Sequence, residues 1–362
     1  MTVSALASGI FTDDTQDDAA ELRQLVADIG QRSAAARLGH HSLPEELDGA
    51  LWRNLEETGL SRLTSTPDLG AGPTESAIVL SVLARYAAAA PIAETDLLAG
   101  WLAKQAGIEL PGTGPLTVAV ADAVLDDDRI TGIARAVPWA QSSSAVLLAA
   151  NTPEGLYVGP LATTEFETGH NLAGEPRDSC VFGSATSDLV LVDRATSREL
   201  TLRGAWARCI QIIGALDASA ELTVAHTRER VQFGRALSNF QAVQHALAAM
   251  AGEIERARAA VSLAVAAAAD HGFASPATDY AVTVAKVTVG RAVSPVTTIA
   301  HQLHGAIGVT LEHQLWLATM RAQSWIGEFG STDHHARRLG RIVTAAADPW
   351  DALTGNDLSN WG

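Results

Sequence analysis

Arg230-Val231-Gln232-Phe233-Gly234, with Phe240-Gln241 just beyond it, and Gln302-Leu303-His304-Gly305-Ala306-Ile307-Gly308 decide how this sequence reads. Each stands where one long helical pattern gives way to the next. An Arg at a helix junction, beside a hydrogen-bonding side chain and an aromatic ring, can clamp a pyrophosphate while the ring packs on a nucleotide. Taken alone, the first stretch is better explained as a helix terminus, with its Arg near the last carbonyls and Phe233 in the core. In the second, a Gly-rich turn exposes backbone N–H groups able to face phosphate, and Gln302 can both donate and accept. Alone, that stretch too is better explained as a helix C-cap with a left-handed Gly.

Around these motifs, apolar positions recur at three- and four-residue spacing over about Leu202 to Arg230, Asn239 to Asp270 and Pro276 to His304, with a shorter stretch from Glu312 to Trp325. Upstream, from Thr113 to Leu200, the pattern changes to short Val- and Leu-rich runs, Leu116 to Ala121, Ala145 to Ala149 and Asp188 to Val192, bounded by Gly, Pro, Asn or Asp. Asp126-Asp127-Asp128 reads as a solvated turn between two of the strands. From Asp17 to Leu110 the pattern is helical again. Ser42-Leu43-Pro44-Glu45 has the form of a capping box, Gly59 of a helix stop, and further helices are predicted over Glu75 to Ala89 and Ala93 to Gln105. The expectation is a mostly α chain with a small β domain, in three parts: a helical domain over 1–110, a β domain over 111–200 and a helical bundle over 201–362.

Bulk properties narrow the function. With 362 residues and 47% hydrophobic content the chain has ample material for a large core, and its Ala- and Leu-rich, aromatic-poor composition suits helix–helix contacts and an extensive subunit interface. A net charge of −16 argues against a nucleic-acid surface, which needs clustered Lys and Arg, but leaves room for an anionic nucleotide held by one or two Arg. Cys180 and Cys209 fit neither a metal site nor a disulfide framework, so the expected setting is the reducing cytoplasm with no metal. The start of the chain lacks an apolar signal-like segment, and the Ala259 to Ala269 run is too short for a bilayer, so no membrane association is expected.

Together, about 70 residues apart, the two motifs resemble the C-terminal domain of acyl-CoA dehydrogenases, where an Arg-x-x-Phe-Gly segment and a Gln-x-x-Gly-Gly-x-Gly segment bind FAD. The resemblance covers the whole chain: Leu51-Trp52 through Glu57-x-Gly59-Leu60, Pro91-x-Ala93-Glu94-Thr95, and Gly132 leading into Leu147-Leu148-Ala149 fall in the family's order. It implies a helical N-terminal domain, a middle β domain and a C-terminal four-helix bundle that builds a dimer or tetramer core. It also implies FAD as cofactor, with Arg230, Gln232, Phe233, Gln241, Gln302 and Gly305 at the adenosine and pyrophosphate end contributed to a neighbouring subunit. Ala306 departs from the family's second Gly, and its added methyl crowds the approach of a cofactor.

Two family features are missing. The Thr-Glu-Pro-x-x-Gly-Ser-Asp loop that holds the flavin ring has no counterpart between Val118-Ala119-Val120-Ala121 and Asp126, and the Trp-Ile-Thr position reads Ala136-Val137-Pro138, with Trp139 just beyond. The family's catalytic Glu falls at Phe329 or Gly330, and its second known location falls close to Gly204; neither is a carboxylate. Glu328 is the candidate base on this chain after a small loop shift, although a solvated loop Glu is the more ordinary reading. His304 and His313 are read as structural, and His334-His335 with Arg337-Arg338 as a polar last helix or tetramer contact rather than an anion site. The resemblance therefore implies a subunit of an FAD-dependent acyl-CoA dehydrogenase that catalyses α,β-dehydrogenation of an acyl-CoA thioester. A homologous partner would bring the missing loop and base in an α2β2 heterotetramer, of the kind known for bulky and steroid side-chain acyl-CoA substrates. Electrons would leave to an acceptor such as an electron-transfer flavoprotein. A homo-oligomer using Glu328, a non-catalytic scaffold subunit and a same-fold flavin monooxygenase remain open alternatives.

Overall fold

The computed structural model describes residues 17–39, 42–66, 69–163, 165–310, 313–359 and 361. Internal packing divides the chain into two units, one of 1–40, 73–87 and 205–362, the other of 41–72 and 88–204.

The first unit is helical. It holds α1 (Asp17–Arg37), α3 (Pro73–Arg85), most of α5 (Arg194–Glu229), α6 (Gln241–His271), α7 (Pro276–His304), α8 (Leu315–Trp325), α9 (Thr332–Ala345) and α10 (Pro349–Thr354). α6 and α7 form a hairpin whose turn is written in the sequence: Gly272 takes a positive φ, Ser275 caps α7 by accepting from the Ala277 N–H, and Pro276 occupies the first turn, where no donor is needed. Small side chains let these helices come close, with Ala257, Val261, Val265, Ala285, Val289 and Val293 fully buried. Trp206 of α5 donates to the Ala264 carbonyl at 3.2 Å and meets Phe273 edge-on, which satisfies its indole N–H inside the core.

The second unit, which also contains α2 (Gly49–Glu57), is built on a six-stranded sheet ordered β5-β2-β1-β3-β4-β6. Its strands are β1 (Leu116–Asp126), β2 (Arg129–Pro138), β3 (Ala145–Asn151), β4 (Leu156–Pro160), β5 (Arg177–Ala185) and β6 (Val190–Val192). β1 and β3 run parallel and the other pairs antiparallel. Alternation along β1, β2 and β5 buries Ala121, Ile130, Ala134, Cys180 and Phe182 and turns Val120, Val124, Ile133 and Val181 outward. A π-helix over Glu94–Gly100 leads into α4 (Trp101–Ala106). There Thr95 bonds both the N–H and the carbonyl of Leu116, and the buried Asp96 carboxylate accepts from the N–H groups of Thr64 and Ser65.

Three boundaries differ from the sequence expectation, each for a local reason. Ser42 to Glu45 caps no helix: α2 starts at Gly49, capped by Asp48, whose carboxylate accepts from Ala50 and Leu51. α3 stops at Arg85 although the Ala run beyond it carries no breaker, because Ala87 adopts a φ of 49° and Arg37 binds the freed Tyr86 and Ala87 carbonyls. α5 begins at Arg194 rather than Leu202, with Asp193 accepting from the Ala195 N–H; its first turns are polar and lack the apolar period that marked the rest. Glu312, the expected start of the last bundle helix, lies outside the described residues, and α8 is seen from Leu315.

At the α3–α5 crossing, a Cβ added at Gly214 would lie 2.0 Å from the Ser81 carbonyl oxygen. Gly214→Ala is expected to cost about 1–3 kcal/mol through forced separation of the helices, read as a lowered thermal midpoint with no change in secondary-structure content.

Candidate functional site

α5 ends one turn after His226, whose carbonyl accepts from the Arg230 N–H. The chain then makes a minimal hairpin, β7 (Val231–Gln232) and β8 (Arg235–Ala236), with Phe233 and Gly234 at φ 52° and 79° as the two-residue turn. This geometry forces the Phe233 ring outward. It is 91% exposed and meets the Phe240 ring in an edge arrangement, and the Arg235 guanidinium sits over Phe240 at 4.0 Å. The reading of Phe233 as a core residue is thereby corrected: a positive-φ aromatic at a hairpin tip cannot reach the bundle interior.

α7 ends at His304, and Gly305 turns the chain with φ 64° and no atom within 4 Å of where a Cβ would stand. Gly308, by contrast, is closely covered by His304 and Leu315. One glycine serves the turn and the other close packing. Ala306 is exposed.

The two motifs meet through histidines. His226 of α5 stacks on His304 of α7 with ring centroids 4.5 Å apart, and His313 meets His304 edge-on at 4.8 Å. The last turns of α5 and α7 therefore lie side by side. Arg230, Gln232, Phe233, Gln241, Gln302 and Gly305 are all exposed around this junction. Among the described residues, neither the Arg230 guanidinium nor the Gln302 amide has a hydrogen-bond partner. Uncommitted donors from a cation and an amide, an open Gly turn and a bare aromatic ring form the donor set that the adenosine-diphosphate end of FAD requires. The group fits here.

Glu328 has different surroundings. Its carboxylate accepts from Arg208 Nε at 2.6 Å, and Arg208, 2% exposed, also donates to Gln211 at 2.6 Å and lies over the rings of Trp325 and Phe329. Lys286 Nζ donates to the carbonyls of Ile326 at 3.1 Å and Glu328 at 2.8 Å, and burial lowers the pKa of this ammonium. His335 lies 3.1 Å from the Phe329 carbonyl, which can only accept, so Nε2 carries the proton; burial pushes this imidazole down to about 4. Three basic side chains from α5, α7 and α9 thus hold one loop, whose Phe329 and Gly330 both have positive φ. The ordinary reading of a solvated loop Glu is corrected: the carboxylate is pinned, because a buried guanidinium demands a counter-charge. In α9, Arg338 is bonded to Asp279 and Thr283 and lies 4.9 Å from the Trp361 ring, so it is committed within the chain.

At the flavin-ring end, β1 passes into β2 through Asp127 and Asp128 alone, with Asp126 paired to Arg129. No residues remain there for a ring-holding loop. At the expected Trp-Ile-Thr position the β2–β5 register shifts between Ala134 and Val137, Ala136 takes a φ of 53°, and the Trp139 ring turns into the core of its unit. The ring end does not fit on this chain. Among the described residues no cluster of three or more His, Cys, Asp or Glu is arranged to hold a metal ion, and no helix is long and apolar enough to cross a membrane.

A long-helix bundle joined in sequence to a small six-stranded sheet is the fold of acyl-CoA dehydrogenase-type subunits. Residues 196–344 match the acyl-CoA dehydrogenase C-terminal domain. The chain is 28% identical to the acyl-CoA dehydrogenase IpdE2 of Mycolicibacterium smegmatis over 88% of its own length and 96% of that protein. Its backbone is similar to a chain of the ChsE4-ChsE5 complex from Mycobacterium tuberculosis, with a TM-score of 0.81, 23% identity and coverage of 93% of this chain and 100% of that one. It is also similar to a chain of the Tcur3481-Tcur3483 steroid ACAD, with a TM-score of 0.79, 24% identity and coverage of 90% and 97%. Residues 196–344 thus carry an acyl-CoA dehydrogenase C-terminal domain, and over most of its length the chain is similar to acyl-CoA dehydrogenases, which are FAD-dependent oxidoreductases.

The buried imidazoles set an acid limit on stability. His304 and His335 are both held down to about 4 from an ordinary 6.5, chiefly by desolvation, so the folded state favours their neutral forms. Their contribution is fully present above pH 6.5 and is lost as pH falls from there toward about 4, because the unfolded chain takes up protons first. Thermal midpoints measured across this range should fall, and His335→Gln, which keeps a donor for Phe329 but cannot titrate, should flatten the decline.

Proposed function

We propose that this chain is the adenosine-end subunit of an FAD-dependent acyl-CoA dehydrogenase whose active site is completed by a homologous partner chain. The observation that carries this reading is the contrast between the two ends of the cofactor site: free donors at Arg230 and Gln302, but a two-residue β1–β2 turn where a ring loop would stand. Arg230 and Gln302 hold the diphosphate, with the side-chain-free turn at Gly305 leaving it room. Phe233 and Gln232 border the adenosine, and Gln241 stands at the open N-terminus of α6. When bound, FAD supplies the hydride acceptor for the β-carbon of the thioester. The base that takes the α-proton belongs to the partner, since Oε2 of Glu328 is tied to the buried Arg208 guanidinium, which holds the carboxylate in its ionised, structural role.

Relatives support the assembly and the substrate class. One structural neighbour is a chain of the ChsE4-ChsE5 complex and another a chain of the Tcur3481-Tcur3483 steroid ACAD. We therefore assign a bulky, steroid-type acyl-CoA thioester as substrate and an electron-transfer flavoprotein as acceptor. The buried, unbridged Cys180 and Cys209 agree with a cytoplasmic setting.

The decisive measurement is flavin content per chain, for the protein purified alone and after co-expression with its nearest encoded homologue. Flavin confined to the complex supports a shared site; one FAD per chain in the isolated protein overturns it. In the complex, Arg230→Gln should weaken flavin retention by about tenfold or more, the loss of a charge-assisted contact, without lowering the thermal midpoint, because the side chain is exposed. Glu328→Gln separates the two placements of the base. With the base on the partner, kcat stays within about threefold while stability drops through the exposed cost of the buried Arg208 charge. A fall of about a thousandfold in kcat would place the base on this chain.

A further inference from the structure

The histidines that join the two motifs have no role in the half-site as described. His304 is 5% exposed, and its Nδ1 lies 2.8 Å from the Ala300 carbonyl, so Nδ1 carries the ring proton and Nε2 presents a bare lone pair. That Nε2 is buried without a hydrogen-bond partner. His226, half-buried on α5, covers one face of the ring, and His313, ahead of α8, meets it edge-on. His313 accepts from the Leu315 N–H through Nδ1. His301, one turn back on α7, bonds through Nε2 to Thr319, whose hydroxyl proton goes to the Leu315 carbonyl. The other charged groups acting on the stack are Arg230 and Glu229, both bearing on His226.

We propose that His226, His304 and His313 form a proton-accepting stack coupled to the diphosphate half-site, so that binding of FAD there draws a proton from solvent onto the stack. The inference rests on the assignment of Arg230 and Gln302 to the cofactor's diphosphate. In the free chain the stack is held neutral. Desolvation, then repulsion among the rings, brings His304 down to about 4, and desolvation followed by Arg230 lowers His226, with His313 lowered in the same direction. An anion beside Arg230 reverses the balance: it cancels the guanidinium charge that opposes protonation of His226 and favours the imidazolium form. The bare Nε2 of His304 is an acceptor for such a proton that no bond within the chain competes for. Water supplies the proton, and no bond of the cofactor breaks. The diphosphate of FAD is a diester without a proton of its own to release near neutrality, so any proton taken up is taken up by the protein.

Linkage fixes the sign. Where binding takes up one proton, affinity rises about tenfold for each unit by which pH falls. The assembly would hold its flavin more tightly under mildly acidic conditions and loosen it as pH rises.

The test is calorimetric titration of FAD into the flavin-depleted assembly containing the full chain, near pH 6, in two non-phosphate buffers of different ionisation enthalpy. The expected result is a buffer-dependent heat corresponding to uptake of about half to one proton per FAD, lost in His226→Asn and in His304→Phe while binding persists. The first variant sits at a half-buried position and keeps the measurement interpretable if the second fails to fold. Equal heats in both buffers for the wild-type chain would overturn the proton coupling and leave the half-site assignment standing. Equal FAD affinity in the wild-type chain and Arg230→Gln would overturn the half-site assignment, and the coupling with it.

Discussion

A guanidinium buried to 2% exposure must be compensated, and in this protein the obligation falls on Arg208 and Glu328. The ion pair draws the loop between α8 and α9 onto α5. Once that loop lies there, its carbonyls are turned inward and must find donors, which Lys286 and His335 provide from two further helices. Four helices of the bundle are thereby fastened at one point. The same fastening gives the Glu328 carboxylate a structural role in the bundle.

The protein is therefore divided between groups that are spent and groups that are not. Around Glu328, Arg208, Lys286 and His335 are committed within the chain, and the loop's left-handed Phe329 and Gly330 are fixed by those contacts. Around the α5–α7 junction, Arg230, Gln302 and Phe233 are uncommitted, on a turn that displays rather than buries them. An exposed aromatic ring on a strained turn gives no stability to an isolated chain. Its arrangement has a physical reason only in what the chain binds.

The helical bundle was legible because long stretches with an unbroken apolar period leave little choice of structure, and β1, β3 and β6 because Val- and Leu-rich runs were bounded by turn residues. The two motifs were visible as sequence, but their meeting was not: the His226–His304 stack joins residues far apart in the chain, and nothing in the spacing of either motif pairs one with the other. The start of α5 was missed because Asp193 announces a helix whose first turns are polar, whereas the Ser42 to Glu45 segment has capping composition without a following helix. The pinning of Glu328 was beyond sequence reading altogether, since it depends on a partner on α5 that only tertiary packing brings to 2.6 Å.

The β1–β2 turn shows why the loss at the ring end is stable rather than a defect. Two strands joined by Asp127 and Asp128 need no cofactor to order them: the ladder continues from Ala123 paired with Gly132 to Asp126 paired with Arg129. A long ring-binding loop would need its ligand to offset the entropy of ordering. By closing the hairpin tightly the chain gives up that dependence. The α5–α7 junction carries no comparable self-sufficiency, since its exposed Arg230 and Gln302 have no hydrogen-bond partner among the described residues and turn to water. One unit of the protein is complete as it stands, and the other presents a surface whose organisation makes sense when a second chain supplies the rest of the cofactor's surroundings.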